Sequence, residues 1–165
     1  MLSIIKMESN HIADVLILEK ICFGEGWTST PFDKELNRKD CSYFIAMENG
    51  FIVGYSGSWT ILEELHITIM AVHPRHRKNK IAQRLLINLI KEGLNSGAKW
   101  VTLEVKASNI PAQKLYEKFG FTVKGRRKQY YHQDKEDALI MWTEEIDTPE
   151  YSKRLLDIEN ELIKV

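Results

Sequence analysis

The chain has 165 residues, enough for one domain with a substantial core and too few for two domains with separate cores. Its 23 Lys and Arg offset 23 Asp and Glu, so no global field draws it to nucleic acid or anionic lipid. Apolar residues at 44% and charged residues at 28% exclude a disordered chain, no apolar run is long enough for a membrane span, and Cys22 and Cys41 form neither a CxxC pair nor a disulfide scaffold.

The first residues, Leu2 to Ile5, predict a short strand, and Lys6, Glu8 and Asp14 interrupt what a signal peptide would keep apolar. We therefore expect a cytoplasmic protein with both thiols reduced and buried. Ile12, Val15, Leu16, Ile17, Leu18 and Ile21 recur mainly on one helical face. After a loop from Gly24 to Ser29, Ser29-Thr30-Pro31-Phe32-Asp33 predicts a short helix with a hydroxyl cap, ending near Asn37. Tyr43 to Met47 and Phe51 to Thr60 are strand-prone and flank Asn49-Gly50, the dipeptide favoured in a type I′ hairpin turn.

Leu65 to Val72 is a further strand closed by His73-Pro74, and its near-continuous apolar second half predicts burial on both faces. Apolar positions 81, 85, 86, 89, 90 and 94 keep helical spacing until Asn95-Ser96-Gly97, and Trp100 to Val105 is strand again. Strand, helix and strand make a βαβ-like unit and imply one parallel pairing. Asn109 caps a predicted helix from Ile110 to Lys118, and Gly120 stops it before Phe121-Thr122-Val123. A last pair of strands flanks a polar turn at 133–137 and ends between Trp142 and Ile146. Thr148-Pro149-Glu150 opens a final helix with an apolar stripe of Tyr151, Leu155, Ile158 and Leu162. The fold class is α/β of the α+β type, with a mixed, largely antiparallel central sheet, one parallel pairing and flanking helices. Residues 1–147 form the main domain, and 148–165 form an amphipathic helix that packs on it or extends it.

Arg75-His76-Arg77-Lys78-Asn79-Lys80 puts four permanent cations between a buried strand and a helix N-terminus, where N–H donors and the helix dipole favour phosphate. A solvated charge run fits the composition equally well. Neither a P-loop nor G-x-G-x-x-G is present, and nothing accompanies the patch that would mark direct nucleic-acid binding. Gly54 and Gly57 fit close strand packing and lack the spacing of a nucleophile elbow. His73 and His76 have no third or fourth ligand in view, so no metal site is expected.

LHITIMAVHPRHRKNKIAQRLL followed by LEVKASNIPAQKLYEKFGF resembles the two core motifs of the GNAT superfamily of acetyl-coenzyme A-dependent N-acetyltransferases. CFGEGWTSTPFDKEL and RRKQYY are similar to the bacterial branch that acetylates the N-terminal alanine of a small-subunit ribosomal protein. The resemblance implies the GNAT fold, acetyl-coenzyme A as cosubstrate and a protein N-terminus as acceptor. It also implies a pyrophosphate loop over Arg77, Lys78, Asn79, Lys80, Ile81 and Ala82, with Gln83 following. The family carries glycine where this chain has Lys80. We expect an ordinary φ there, with the ammonium facing the phosphates.

By the same resemblance Glu104 is the general base, Tyr116 the general acid, and Asn109 a cofactor contact. Met70, Ala71 and Val72 border the thioester carbonyl, and Trp27, Tyr130 and Tyr131 border the acceptor cleft. Trp27 equally fits ordinary hydrophobic packing. A lysine or small-amine acetyltransferase and a non-catalytic acyl-coenzyme A-binding module remain as alternatives, and the oligomeric state is open.

Overall fold

The computed structural model describes residues 1–131 and 136–164. Its strands are β1 (Leu2–Lys6), β2 (Cys41–Glu48), β3 (Phe51–Ile61), β4 (Glu64–Val72), β5 (Trp100–Lys106), β6 (Thr122–Tyr131) and β7 (Glu136–Trp142). They form one seven-stranded sheet of order β1-β2-β3-β4-β5-β7-β6. β4 and β5 pair in parallel, whereas β1 with β2, β2 with β3, β5 with β7 and β6 with β7 pair antiparallel. The helices are α1 (Ile12–Phe23), α2 (Phe32–Glu35), α3 (Ile81–Asn95), α4 (Ile110–Lys118) and α5 (Pro149–Ile163). No helix among the described residues is long and apolar enough to cross a membrane.

The chain divides into two compact units, Met1–Trp59 with Thr68–Glu92, and Thr60–Ile67 with Gly93–Val165. In the first, Val15, Leu18, Phe32, Tyr43, Ile45, Tyr55 and Ala71 form a buried cluster. The β2–β3 turn has Asn49 at φ 52 and Gly50 at φ 84, as an Asn-Gly I′ turn requires. Gly57 is obligatory for a steric reason, since a Cβ there would stand 2.3 Å from Cε1 of Tyr43, whose ring lies across it. Gly54 admits close packing too, because its Cβ would meet Ala71 O at 3.0 Å.

In the second unit, Asn109 Oδ1 accepts from Ala112 N at 3.2 Å and caps α4, which closes on Gly120 at φ 88. Thr148 caps α5 in the same way, accepting from Tyr151 N. Tyr151, Leu155, Ile158 and Leu162 are all buried. Tyr151 Oη donates to Phe119 O at 2.7 Å and Arg154 Nη1 donates to Lys118 O at 3.1 Å, so α5 satisfies two carbonyls that α4 leaves open at its end.

Several local expectations are corrected. Pro31, not a hydroxyl residue, is the N-cap position of α2, and no side chain caps it. Thr30 is engaged elsewhere, by a buried carboxylate on α1 described below. Ile17 and Ile21 on α1 are exposed, and Glu19 is buried in their place. The second half of β4 is not buried on both faces: Thr68 is exposed, Ile69, Met70 and Val72 are half-buried, and only Ala71 is buried. The reason is that the β4–β5 register runs from Glu64↔Trp100 to His66↔Thr102 and stops, leaving 67–72 without a β5 partner among the described residues. β7 begins at Glu136, inside the expected turn, of which 133–135 lie outside the described residues. Both cysteines are free and half-buried.

Candidate active site

The candidate residues divide between the two units. In the first, β4 delivers Met70, Ala71 and Val72 to a connection that begins with a single 3-10 turn over Pro74–His76. His73 Nδ1 accepts from Arg75 N, and His76 Nδ1 lies 3.2 Å from Glu48 Oε2, so both histidines serve the loop. Arg77 Nε donates to Val72 O at 3.1 Å, and Cys22 Sγ donates to the same carbonyl at 3.6 Å, fixing the end of β4. Burial pushes the Cys22 thiol up, opposed by the Arg77 guanidinium.

Lys78 has φ 67 and Lys80 has φ 61. The expectation of an ordinary φ at 80 is therefore overturned: the position that the family gives to glycine keeps the left-handed backbone that glycine would adopt freely. Left-handed residues alternating with ordinary ones turn backbone N–H groups into an anion-binding concavity. Asn79 Nδ2 braces the loop by donating to His76 O at 3.2 Å. Ile81, Ala82 and Gln83 open α3, and Gln83 Oε1 is buried without a hydrogen-bond partner among the described residues. An exposed cationic loop followed by an orphaned buried acceptor fits a ligand with anionic and N–H-bearing parts, as coenzyme A has.

The second unit holds Glu104, Asn109 and Tyr116. Glu104 stands on β5 opposite Ile140, half-buried, and Arg127 Nε of β6 lies 3.0 Å from its Oε1. Gln113 Nε2 donates to Lys106 O and Ala107 O, tying α4 to the end of β5. Asn109 is occupied as the α4 cap, and Tyr116 is buried on α4 with its ring 5.6 Å from Phe121.

Trp27 belongs to the first unit and is 40% exposed, its ring stacked on Phe23 at 4.4 Å. Its Nε1 donates to Glu19 Oε2 at 3.3 Å, while Thr30 donates to Glu19 through its backbone N at 3.1 Å and its Oγ1 at 2.9 Å. Glu19 thus holds the α1–α2 loop from beneath. Tyr130 and Tyr131 lie on the β6 backbone, and their side chains fall outside the described residues. Sequence reasoning missed Glu19 and Arg127. A lone acid within Leu16-Ile17-Leu18-Glu19 was the available signal for the first; the second sat within a cationic run whose individual members were indistinguishable.

The sheet, the β4 segment unmatched by β5 and the cationic loop before α3 define an acetyltransferase class. Residues 12–121 match the acetyltransferase (GNAT) family, and the chain belongs to it. It is an N-acetyltransferase whose cosubstrate is acetyl-coenzyme A. A Bacillus subtilis protein provisionally named a [ribosomal protein bS18]-alanine N-acetyltransferase is 35% identical over 82% of this chain and 91% of its own length. The crystal structure of the ribosomal-protein-S18-alanine N-acetyltransferase from Escherichia coli superposes with a TM-score of 0.80 at 27% identity, covering 90% of this chain and 96% of that one. A GNAT family acetyltransferase from Elizabethkingia anophelis, solved with acetyl-CoA bound, shares the fold with a TM-score of 0.72 at 18% identity, over 87% of this chain and 97% of that one.

Proposed function

We propose that this N-acetyltransferase modifies the N-terminal α-amine of a protein, with alanine as the first residue and a small-subunit ribosomal protein as the acceptor. The observation that carries the reading is the likeness to bS18-alanine acetyltransferases, which runs over most of the chain and not over the cofactor motif alone.

Acetyl-coenzyme A supplies an activated thioester carbonyl. In this reading Arg77, Lys78 and Lys80, with the N–H groups of 77–82, hold its phosphates, Gln83 and Asn109 contact its arm, and a backbone N–H within Met70–Val72 donates to the carbonyl oxygen. Glu104 removes a proton from the acceptor amine, whose ordinary pKa of about 7.7 to 8.0 leaves part of it protonated near neutrality. As the N–C bond forms and the C–S bond breaks, Tyr116 gives the departing thiolate a proton. Arg127 keeps the Glu104 carboxylate oriented. Trp27, Tyr130 and Tyr131 are assigned to recognition of the acceptor by the family likeness alone.

The test is a panel of peptides with free α-amines, peptides with only free lysines, and polyamines, incubated with acetyl-coenzyme A and read by mass and site of modification. Alanine-led α-amines are expected to react fastest. A preference for lysines or polyamines by about tenfold or more, 1.4 kcal/mol, overturns the acceptor assignment.

A further inference from the structure

The first unit contains a cavity of about 330 Å³ between the α1–α2 loop, α2 and strands β2 to β4. We propose that it is a subsite for a cationic side chain, arginine or lysine, carried by the acceptor a few residues behind the amine that is acetylated. The proposal rests on the α-amine reading above and adds a specificity determinant to it.

The cavity is a built one. Gly57 lets the Tyr43 ring lie flat over the sheet, and the Tyr43 hydroxyl donates to Glu35 Oε2. Burial and the adjacent Glu35 charge raise the Tyr43 pKa, so the phenol stays a donor and directs the carboxylate into the cavity wall. Glu35 Oε1 has no partner among the described residues. Ser58, which also lines the cavity, is 2% exposed with an Oγ that has no partner among the described residues. A buried hydroxyl without a partner points to a polar group missing from its surroundings.

The rim and the charge favour a cation. Trp27 and Trp59 flank the opening at 40% and 39% exposure. The face of Trp59 already accepts one guanidinium: Arg38 Cζ stands 5.5 Å from its centroid, held by Asp40 at 3.0 and 2.6 Å. Asp40 pairs with Arg38, which also lines the cavity and feels the Glu35 charge, and Glu19 lies behind Trp27 and Thr30, so three carboxylates of this group are set against one guanidinium. An entering ammonium or guanidinium would find a carboxylate oxygen and an indole face together.

The strand sets the distance to the chemistry. Thr68 and Ile69 form part of the wall, and Met70–Val72 follow on the same β4 strand. At about 3.3 Å per residue the cavity lies on the order of 8 Å from the middle of that segment, the reach of two or three extended acceptor residues.

The test uses the full chain, acetyl-coenzyme A and alanine-led peptides bearing Arg, Lys, Leu or Glu at position 2, 3 or 4, with kcat/KM for α-amine acetylation as the readout. A cation at one of these positions is expected to raise kcat/KM about tenfold over leucine. Glu35→Gln is expected to shrink that ratio to about twofold or less, and Glu35→Lys to favour the Glu peptide. Equal rates for all peptides, a preference for leucine, or a cation preference unchanged in Glu35→Gln overturns the subsite alone. Transfer only to lysine side chains or polyamines overturns the α-amine reading, and this subsite with it.

Discussion

Replacing Lys80 with glycine separates two effects that act on the same residue. At φ 61 the Lys80 side chain crowds the backbone at a cost of about 1 to 2 kcal/mol, which glycine relieves. Glycine also gives the unfolded chain more freedom, worth about 0.4 to 1 kcal/mol against folding. The net is a gain of roughly 0 to 1.5 kcal/mol, or up to a few degrees in melting temperature for a chain of this size. A strain present in the folded loop whether or not coenzyme A is bound belongs to folding and drops out of the affinity. What remains for binding is the lost ammonium, discounted for partial exposure to about 1 kcal/mol, or about fivefold in Kd. Calorimetric titration of coenzyme A at low and high salt, beside a thermal melt, is the assay. We expect weaker binding by Lys80→Gly at low salt, a narrower gap at high salt, and a melting temperature equal or slightly raised. Tighter binding by the glycine form at both salt concentrations would refute the reasoning, because it would mean that the strain is released or incurred on binding.

Glu104→Gln is expected to lower the rate mainly below the pH at which the acceptor amine is already neutral, since a base matters least when little proton remains to be removed; superimposable pH–rate profiles would take Glu104 out of the mechanism. Tyr151→Phe removes the donor to buried Phe119 O and should cost about 1 to 2 kcal/mol, read as a lower denaturant midpoint, with an unchanged midpoint counting against the bond. Burial raises the thiol pKa of both Cys22 and Cys41, so less thiolate is present at pH 8 than in a free cysteine. Iodoacetamide labelling, followed residue by residue in the mass spectrum, should therefore be slow at pH 8 and accelerate only at higher pH; either thiol reacting at the rate of free cysteine would contradict this.

The parts of the molecule that were legible in the sequence are those decided within a few neighbouring residues. Asn49-Gly50 supplies its own positive φ, Asn109 reaches a donor three residues on, and the α5 stripe needs only helical period and an apolar surface to cover. The parts that were not legible depend on distant chain. Thr30 looked like a helix cap because nothing local shows that Glu19, a turn and a loop earlier, takes its hydroxyl. The pairing of Glu104 with Arg127 joins β5 to β6 across the intervening β7, a relation that no spacing encodes. The second half of β4 reads as doubly buried because an apolar run cannot tell where a neighbouring strand stops pairing. At Lys80 the residue type argued for ordinary backbone, whereas closing β4 onto α3 dictated the dihedral.

The end of α4 has a consequence in the order of synthesis. Its two terminal carbonyls, on Lys118 and Phe119, receive their donors from Arg154 and Tyr151, which the ribosome adds 36 and 32 residues later. Until those residues emerge, the helix that carries Tyr116 has an unfinished terminus, and a product cut short after β7 would keep the whole cationic loop before α3 while leaving that helix frayed. Proofreading of this fold would then fall on the 15 residues of α5, where a nonsense or frameshift error leaves the family's motifs intact in sequence and the helix that carries Tyr116 incomplete.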